Sequence, residues 1–388
     1  MPSDIERAHS AIFLEERQPF GAIAPPISMS STFAFETHED LASRYRGENP
    51  DPLYSRTENP TVTLLEEKLA ALEGGEGAIA LGSGMAAISS AVLALVRSGD
   101  RVVAIRNSYS DAHRFFDAIL PRLGVQTHYV DAGDFGAVEA ALIGARLFYL
   151  ESPSSYVFDC FDIPALTRKA RAAGAITLFD NSFASPLRQN PLAHGVDLVV
   201  HSMSKYLSGH SDVVAGCIVG SAVLIETIRT GVSPFLGSKL SAFEAWLVLR
   251  GLRTLPVRLE AHERSAAIVA EALAGLPQVL RVLRPGISAP LPPTLRGAGG
   301  LMTVEFDAAV DIPTFCNALK VFRLAVSWGG FESLALPADV TQRPPQPHSR
   351  HQSLGINRHM VRLFIGLEGA EALRADLLNA ITAATGRG

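Results

Sequence analysis

The chain is 388 residues long, 47% hydrophobic, and carries 34 Lys and Arg against 39 Asp and Glu for a formal charge of −5. This exceeds the roughly 250–300 residues that one hydrophobic core usually serves, so at least two domains are expected. The basic residues are scattered, which speaks against nucleic acid or an anionic membrane as partner, and residues 1–10 are charged with no apolar leader or bilayer-length run anywhere, so a cytoplasmic protein is expected.

Residues 1–50 read as irregular, with Pro25-Pro26 and a Ser/Thr stretch from Ser28 to Thr32. From about 62 to 220, strand-like runs at 78–81, 101–105, 146–150, 175–179 and 196–200 alternate with helical stretches, the pattern of a parallel sheet covered on both faces. Helix-period spacing follows from Leu240 to Val282, interrupted at Pro256, and a Pro/Gly-rich loop spans 284–299. Strand-like runs Leu301 to Phe306 and Met360 to Ile365 flank a helical Pro313 to Val321, suggesting a smaller α/β domain. Pro337 to Gln352, rich in proline and charge, reads as a cover near the entrance. The expected division is an arm at 1–50, a larger domain at 51–245 and a C-terminal domain at 246–388. Cys160, Cys217 and Cys316 are odd in number and far apart, with no C-x-x-C and no His/Cys cluster at ligand spacing, so neither disulfides nor a metal is expected.

Three stations carry chemistry. Gly82-Ser83-Gly84-Met85-Ala86-Ala87 lies between a short apolar run and a helical segment, where backbone N–H groups and a helix N-terminus can hold a phosphate. It also satisfies G-x-G-x-x-A, but the next strand-like run ends in Arg106 and Asn107 where a dinucleotide site would place an acid, so the nicotinamide reading loses ground. Asp180 closes a second apolar run and reads either as a turn residue or as a carboxylate at the sheet's ligand edge. Lys205 sits among hydroxyls after Val196 to Val200, where desolvation would lower its pKa and free an amine to attack a carbonyl. A lysine for the aldehyde and a carboxylate for the ring nitrogen are the pair pyridoxal phosphate requires, with Ser202 and Ser204 available to complete the phosphate shell. Arg362 lies within the apolar alternation from Met360 to Ile365; it faces either solvent or an anionic partner.

With these residues in hand, the chain resembles the transsulfuration, or Cys/Met metabolism, family of pyridoxal-phosphate enzymes from Tyr54 to Glu368. The resemblance rests on YSRTENPT at 54–61, SGMAA at 83–87, ESPSS at 151–155, DNSFASP at 180–186, HSMSKYLSGHSD at 201–212, SWGGFESL at 327–334 and RLFIGLE at 362–368. It implies an α/β, aspartate-aminotransferase-like (fold type I) architecture, with a large parallel-sheet cofactor domain plus a smaller C-terminal α/β domain. It implies that Lys205 binds the cofactor aldehyde, Asp180 pairs with the ring nitrogen, Tyr109 stacks on the ring, and Gly84, Met85, Ser202 and Ser204 hold the phosphate. Tyr54 and Arg56 would reach a neighbouring subunit's phosphate in a homo-oligomer with shared sites, a tetramer by family habit. Arg362 would grip the carboxylate of an amino-acid substrate, helped by Ser327.

Trp328 and Ser155 are similar to the cystathionine β-lyase branch and tilt the reading to β-elimination, which yields a thiol, pyruvate and ammonia. The alternative is γ-elimination or γ-replacement, because YSRTENPT resembles the γ-acting branches and Val326 replaces the tyrosine or glutamate of other branches. Asp111 to His113 follow Tyr109 where many relatives have a glycine-rich turn. Remoter readings are a nicotinamide-dependent oxidoreductase and a pyridoxal-phosphate-binding protein without turnover.

Overall fold

A computed structural model describes residues 11–12, 21–341 and 354–385 and contains two sheets. The seven-stranded sheet comprises β1 (Gly77–Leu81), β2 (Arg101–Ile105), β3 (Gln126–Val130), β4 (Leu147–Glu151), β5 (Ile176–Asp180), β6 (Leu198–Ser202) and β7 (Gly216–Gly220), ordered β1-β7-β6-β5-β4-β2-β3. Its central strands are continuous apolar runs because both faces are covered. Val102, Ala104, Leu178 and Val200 pack under helices Gly84–Leu95 and Ser110–Ala118, while Val103, Ile105, Phe148 and Val199 pack under Phe135–Leu142 and Ile163–Ala172. Each fully buried aliphatic side chain contributes about 1.5–3 kcal/mol.

The expected strands are all present, with β4, β5 and β6 lying one or two residues later than their apolar runs; Asp180 and Ser202 are thus strand residues. Two strands of this sheet escaped the sequence reading. β3 is an edge strand with two of its five residues exposed and only one buried, so it lacks an apolar run. β7 is five residues bounded by glycines and runs antiparallel to both β1 and β6, so the sheet is mostly, rather than wholly, parallel.

The smaller sheet comprises β8 (Val279–Leu283), β9 (Leu301–Phe306), β10 (Arg323–Leu324), β11 (Leu334–Pro337) and β12 (Met360–Phe364), ordered β10-β11-β12-β9-β8. Met302, Val304, Val361 and Leu363 pack under helices Leu255–Ala274, Ile312–Ala318 and Ala370–Thr385. The opposite face sends Leu301, Leu334 and Phe364 into a core shared with Met203, Tyr206 and Leu207, and so sits against the segment that carries Lys205.

The helical reading of Leu240 to Val282 resolves into two helices, Ala242–Leu252 and Leu255–Ala274, followed by β8. Pro256 opens the second helix, in the first turn where a missing N–H costs nothing. Within the stretch read as irregular, His38–Tyr45 is a helix closed by a Thr37/Asp40 capping box. Of the expected cover, Pro337 ends β11 and Ala338–Thr341 is a helical turn; 342–352 fall outside the described residues, as do 1–10 and 13–20 of the arm. Among the described residues no helix is long and apolar enough to cross a membrane.

Candidate active site

After β6 the chain turns through residues 203–215 and returns as β7, antiparallel beside it. The Ser204 hydroxyl closes this turn, accepting from Ala215 N at 3.0 Å and donating to Ala215 O at 3.3 Å. Lys205 therefore projects from a segment anchored at both ends. Its Nζ donates to Ser327 Oγ and lies 5.4 Å from the centroid of the Trp328 ring. Burial, reinforced by the Arg362 charge and opposed by Asp180, brings the amine down to about 8.

Asp180 ends β5 directly opposite Val200 of β6 and beside Glu151 of β4. Its Oδ1 accepts from Ser182 N at 2.9 Å in an Asx-type turn, and the Ser182 hydroxyl in turn accepts from Ser202 N at 2.7 Å. Burial raises the pKa of Asp180 above the usual carboxylate value despite these hydrogen bonds and the nearby His201 and Lys205. A cation placed against it would restore the charged form.

The glycine turn forms as read. Ser83 N-caps helix Gly84–Leu95, its hydroxyl accepting from Ala86 N at 3.0 Å, a bond of about 1 kcal/mol. Gly84 is needed for proximity: a Cβ there would sit 2.8 Å from Ser202 Cβ and 3.1 Å from its Oγ. The Ser202 hydroxyl and the helix N-terminus thus meet at one point, whereas the Ser204 hydroxyl is engaged by Ala215. Met85 is half-buried and packs against the core beneath.

The smaller sheet completes the cluster. Arg362, on β12, donates from Nη2 to Ser327 O at 3.1 Å, so Ser327 touches Lys205 with its hydroxyl and Arg362 with its carbonyl. Burial lowers the Arg362 pKa, with Tyr156 and Tyr109 pulling the other way. Ser327 has φ 75°, a left-handed conformation rare outside glycine, and such outliers persist where surrounding structure imposes them. Gly329, at φ 91°, has no room for a side chain: a Cβ would lie 2.8 Å from Lys205 Cα. Trp328 packs edge-on against Tyr206, centroids 5.4 Å apart.

Tyr109 is the N-cap of helix Ser110–Ala118; its N donates to Glu151 Oε2 at 2.7 Å and its hydroxyl to Asp111 Oδ2 at 3.0 Å. The hydrogen-bond roles of Glu151, Ser182 and Asp111 were not foreseen. Only Asp111 had left a trace in the sequence, as a departure from a glycine-rich turn. Ser155 is half-buried beyond the cis Ser152-Pro153 bond and is held by its backbone N to Asn107 O at 3.3 Å. Tyr54 and Arg56 are not brought to this cluster: with Met29, Lys239 and Ser241 they line a separate recess of about 430 Å³. Arg56 donates to Pro234 O at 3.2 Å.

These groups fit pyridoxal phosphate. A desolvated amine shares Ser327 with a buried arginine, a buried carboxylate calls for a cation, and a glycine-lined helix start suits an anion. When bound, the cofactor supplies an aldehyde for amine exchange and a ring that withdraws electrons from the substrate's carbon skeleton.

Comparison with known proteins agrees. A family model described as Cys/Met metabolism PLP-dependent enzyme matches residues 10–382. L-methionine gamma-lyase of Pseudomonas putida is 40% identical over 372 residues, covering 94% of this chain and 93% of that protein. The crystal structure of cystathionine gamma synthase from Xanthomonas oryzae pv. oryzae in complex with cystathionine superposes with a TM-score of 0.90 at 34% identity, covering 100% of this chain and 99% of the other. That of cystathionine gamma-lyase from Lactobacillus plantarum complexed with L-serine gives 0.89 at 33%, covering 97% and 98%. The two-sheet architecture is therefore that of fold type I, and the chain belongs to the Cys/Met metabolism, or transsulfuration, family of PLP-dependent enzymes.

Proposed function

We propose that this enzyme is a carbon–sulfur lyase that eliminates the γ-substituent of a sulfur amino acid of the methionine type, giving a thiol, 2-oxobutanoate and ammonia with consumption of one water. The single observation that carries the reading is the Lys205–Ser327–Arg362 relay, which sets a carboxylate-binding cation one residue's width from an amine that burial brings down to about 8. Its extension to Cγ rests on the γ-acting relatives, 40% identical for the methionine lyase and 34% for the synthase. The sequence tilt to β-elimination loses its basis. Trp328 is accounted for by its packing on Tyr206 and its place beside Lys205, and Ser155 bonds Asn107 through its backbone N.

In this reading Arg362 and Ser327 bind the α-carboxylate, and the Lys205 amine moves protons at Cα and Cβ. Tyr109 covers the cofactor ring and hands its phenolic proton to the leaving sulfur. Asp180 holds the ring nitrogen protonated, and Gly84, Met85, Ser202 and Ser204 surround the phosphate. Tyr54 and Arg56, outside the Lys205 cluster of their own chain, serve the site of a second copy in a homo-oligomer, a tetramer of two intimate dimers. The chain divides at residue 245 into a cofactor domain and a C-terminal domain.

The test is a substrate panel of methionine, cystathionine, cystine, S-alkylcysteines and O-acylhomoserine with thiol, with identification of the 2-oxo acid. Methionine should give 2-oxobutanoate. Pyruvate as the dominant product across the panel would return the assignment to β-elimination. A new thioether from O-acylhomoserine would favour γ-replacement, a second reading supported by the synthase's overall likeness.

A further inference from the structure

We propose that Asp111 is a positioning residue for Tyr109: its carboxylate accepts the phenol's hydrogen bond, fixes the direction of the hydroxyl and keeps its proton on oxygen until a substrate atom takes it. The two residues are linked by geometry. Tyr109 caps helix Ser110–Ala118 and Asp111 lies in its first turn, where an acid is favoured by the exposed N–H groups. Asp111 Oδ2 accepts from the Tyr109 hydroxyl at 3.0 Å while Oδ1 accepts from Arg114 Nη1 at 2.8 Å. Each carboxylate oxygen thus has a donor, which leaves Asp111 poorly suited to bind a substrate's ammonium itself. The Asp111–Arg114 pair is largely solvent-facing, so it contributes little to stability; what it supplies is a fixed acceptor. At the other end of the residue, Glu151 Oε2 holds Tyr109 N at 2.7 Å, so backbone and hydroxyl are both tied to carboxylates.

The charged surroundings agree. Asp111 and Arg114 stand on the tyrosine's own helix, Glu151 on β4, Asp180 on β5 and Arg362 on β12. Burial first, and then the carboxylates of Asp111, Asp180 and Glu151, make the phenol a weaker acid than usual. Tyr109 is consequently equipped to donate a proton to departing sulfur and ill equipped to act as a resting-state base. Without Asp111 the hydroxyl rotor has no fixed acceptor, and the strongest specific force against ionisation is gone.

This proposal deepens the γ-elimination reading and rests on it for its kinetic arm. The experiment uses the holoenzyme labelled with 13Cζ-tyrosine, with Tyr109→Phe to assign the resonance and Asp111→Asn and Asp111→Glu as the variants. In Asp111→Asn the Tyr109 titration should move down by about one unit or more, and Asp111→Glu should restore most of it. With methionine, kcat of Asp111→Asn should fall about 10-fold, a fraction of the usual general-acid contribution, while KM changes little. A Tyr109 titration that is unmoved or moves upward in Asp111→Asn overturns the proposal. Failure of the wild-type enzyme to form 2-oxobutanoate would instead sink the γ reading, and the NMR titration would still decide the role of Asp111.

Discussion

The Lys205 cluster and the Tyr54–Arg56 recess are both polar, yet they are built differently. The first hangs from strand ends and buried turns: Asp180 on β5, Ser202 on β6, Arg362 on β12, with Ser327 held at φ 75° between lysine and arginine. The second is assembled from exposed segments. Tyr54 is 49% exposed and touches the chain through an isolated bridge to Thr32, and Arg56 leans on a single carbonyl. Desolvation moves pKa values in the first. The first centre is held in place by strands of its own chain, whereas the second is open to solvent.

Five experiments test this contrast. Lys205→Ala should lower turnover by about 10³-fold or more, since both proton transfer and cofactor capture depend on it; steady-state kinetics with saturating cofactor checks this. Asp180→Asn should cost about 10²-fold in kcat, as expected for loss of a preorganised charge facing developing charge. Arg362→Leu should reduce kcat/KM about 30-fold or more, the ~2–5 kcal/mol that truncating a desolvated charged pair costs, chiefly through KM.

The fourth is a pH profile. Because burial brings the Lys205 amine down to about 8, cofactor uptake by the cofactor-free protein should rise about tenfold from pH 7 and level off above pH 8. An ordinary lysine would keep rising to about pH 10.4. Fifth, mixing Lys205→Ala and Arg56→Ala chains under subunit exchange should recover about a quarter of wild-type activity, the yield of random pairing in a two-fold dimer. Activity no greater than the sum of the separate variants would show that Arg56 serves no neighbour.

Much of the site was legible because catalysis on an open sheet collects residues at strand ends, and strand ends show in sequence as polar groups closing apolar runs. Lys205 and Asp180 follow that rule. Arg362 was readable only as a conflict between charge and apolar alternation, which the Ser327 carbonyl resolves. The partnership of Tyr109 with Asp111 was hidden because it is set by the entry angle of a helix rather than by composition. Likewise β3, an edge strand, and β7, short and glycine-bounded, lack the apolar continuity that marks central strands. Pro256 read as an interruption although it begins a helix, an ambiguity inherent in proline's fixed φ.

The reversal of β7 has a mechanical consequence. Because the outgoing and returning ribbons around Lys205 are hydrogen-bonded to each other from Leu198–Gly220 to Ser202–Gly216, the loop between them cannot swing as a flap without unzipping the sheet's middle. The nucleophile must travel on its own four methylenes, so exchange between protein and substrate at this centre is a matter of side-chain rotation over an almost stationary floor.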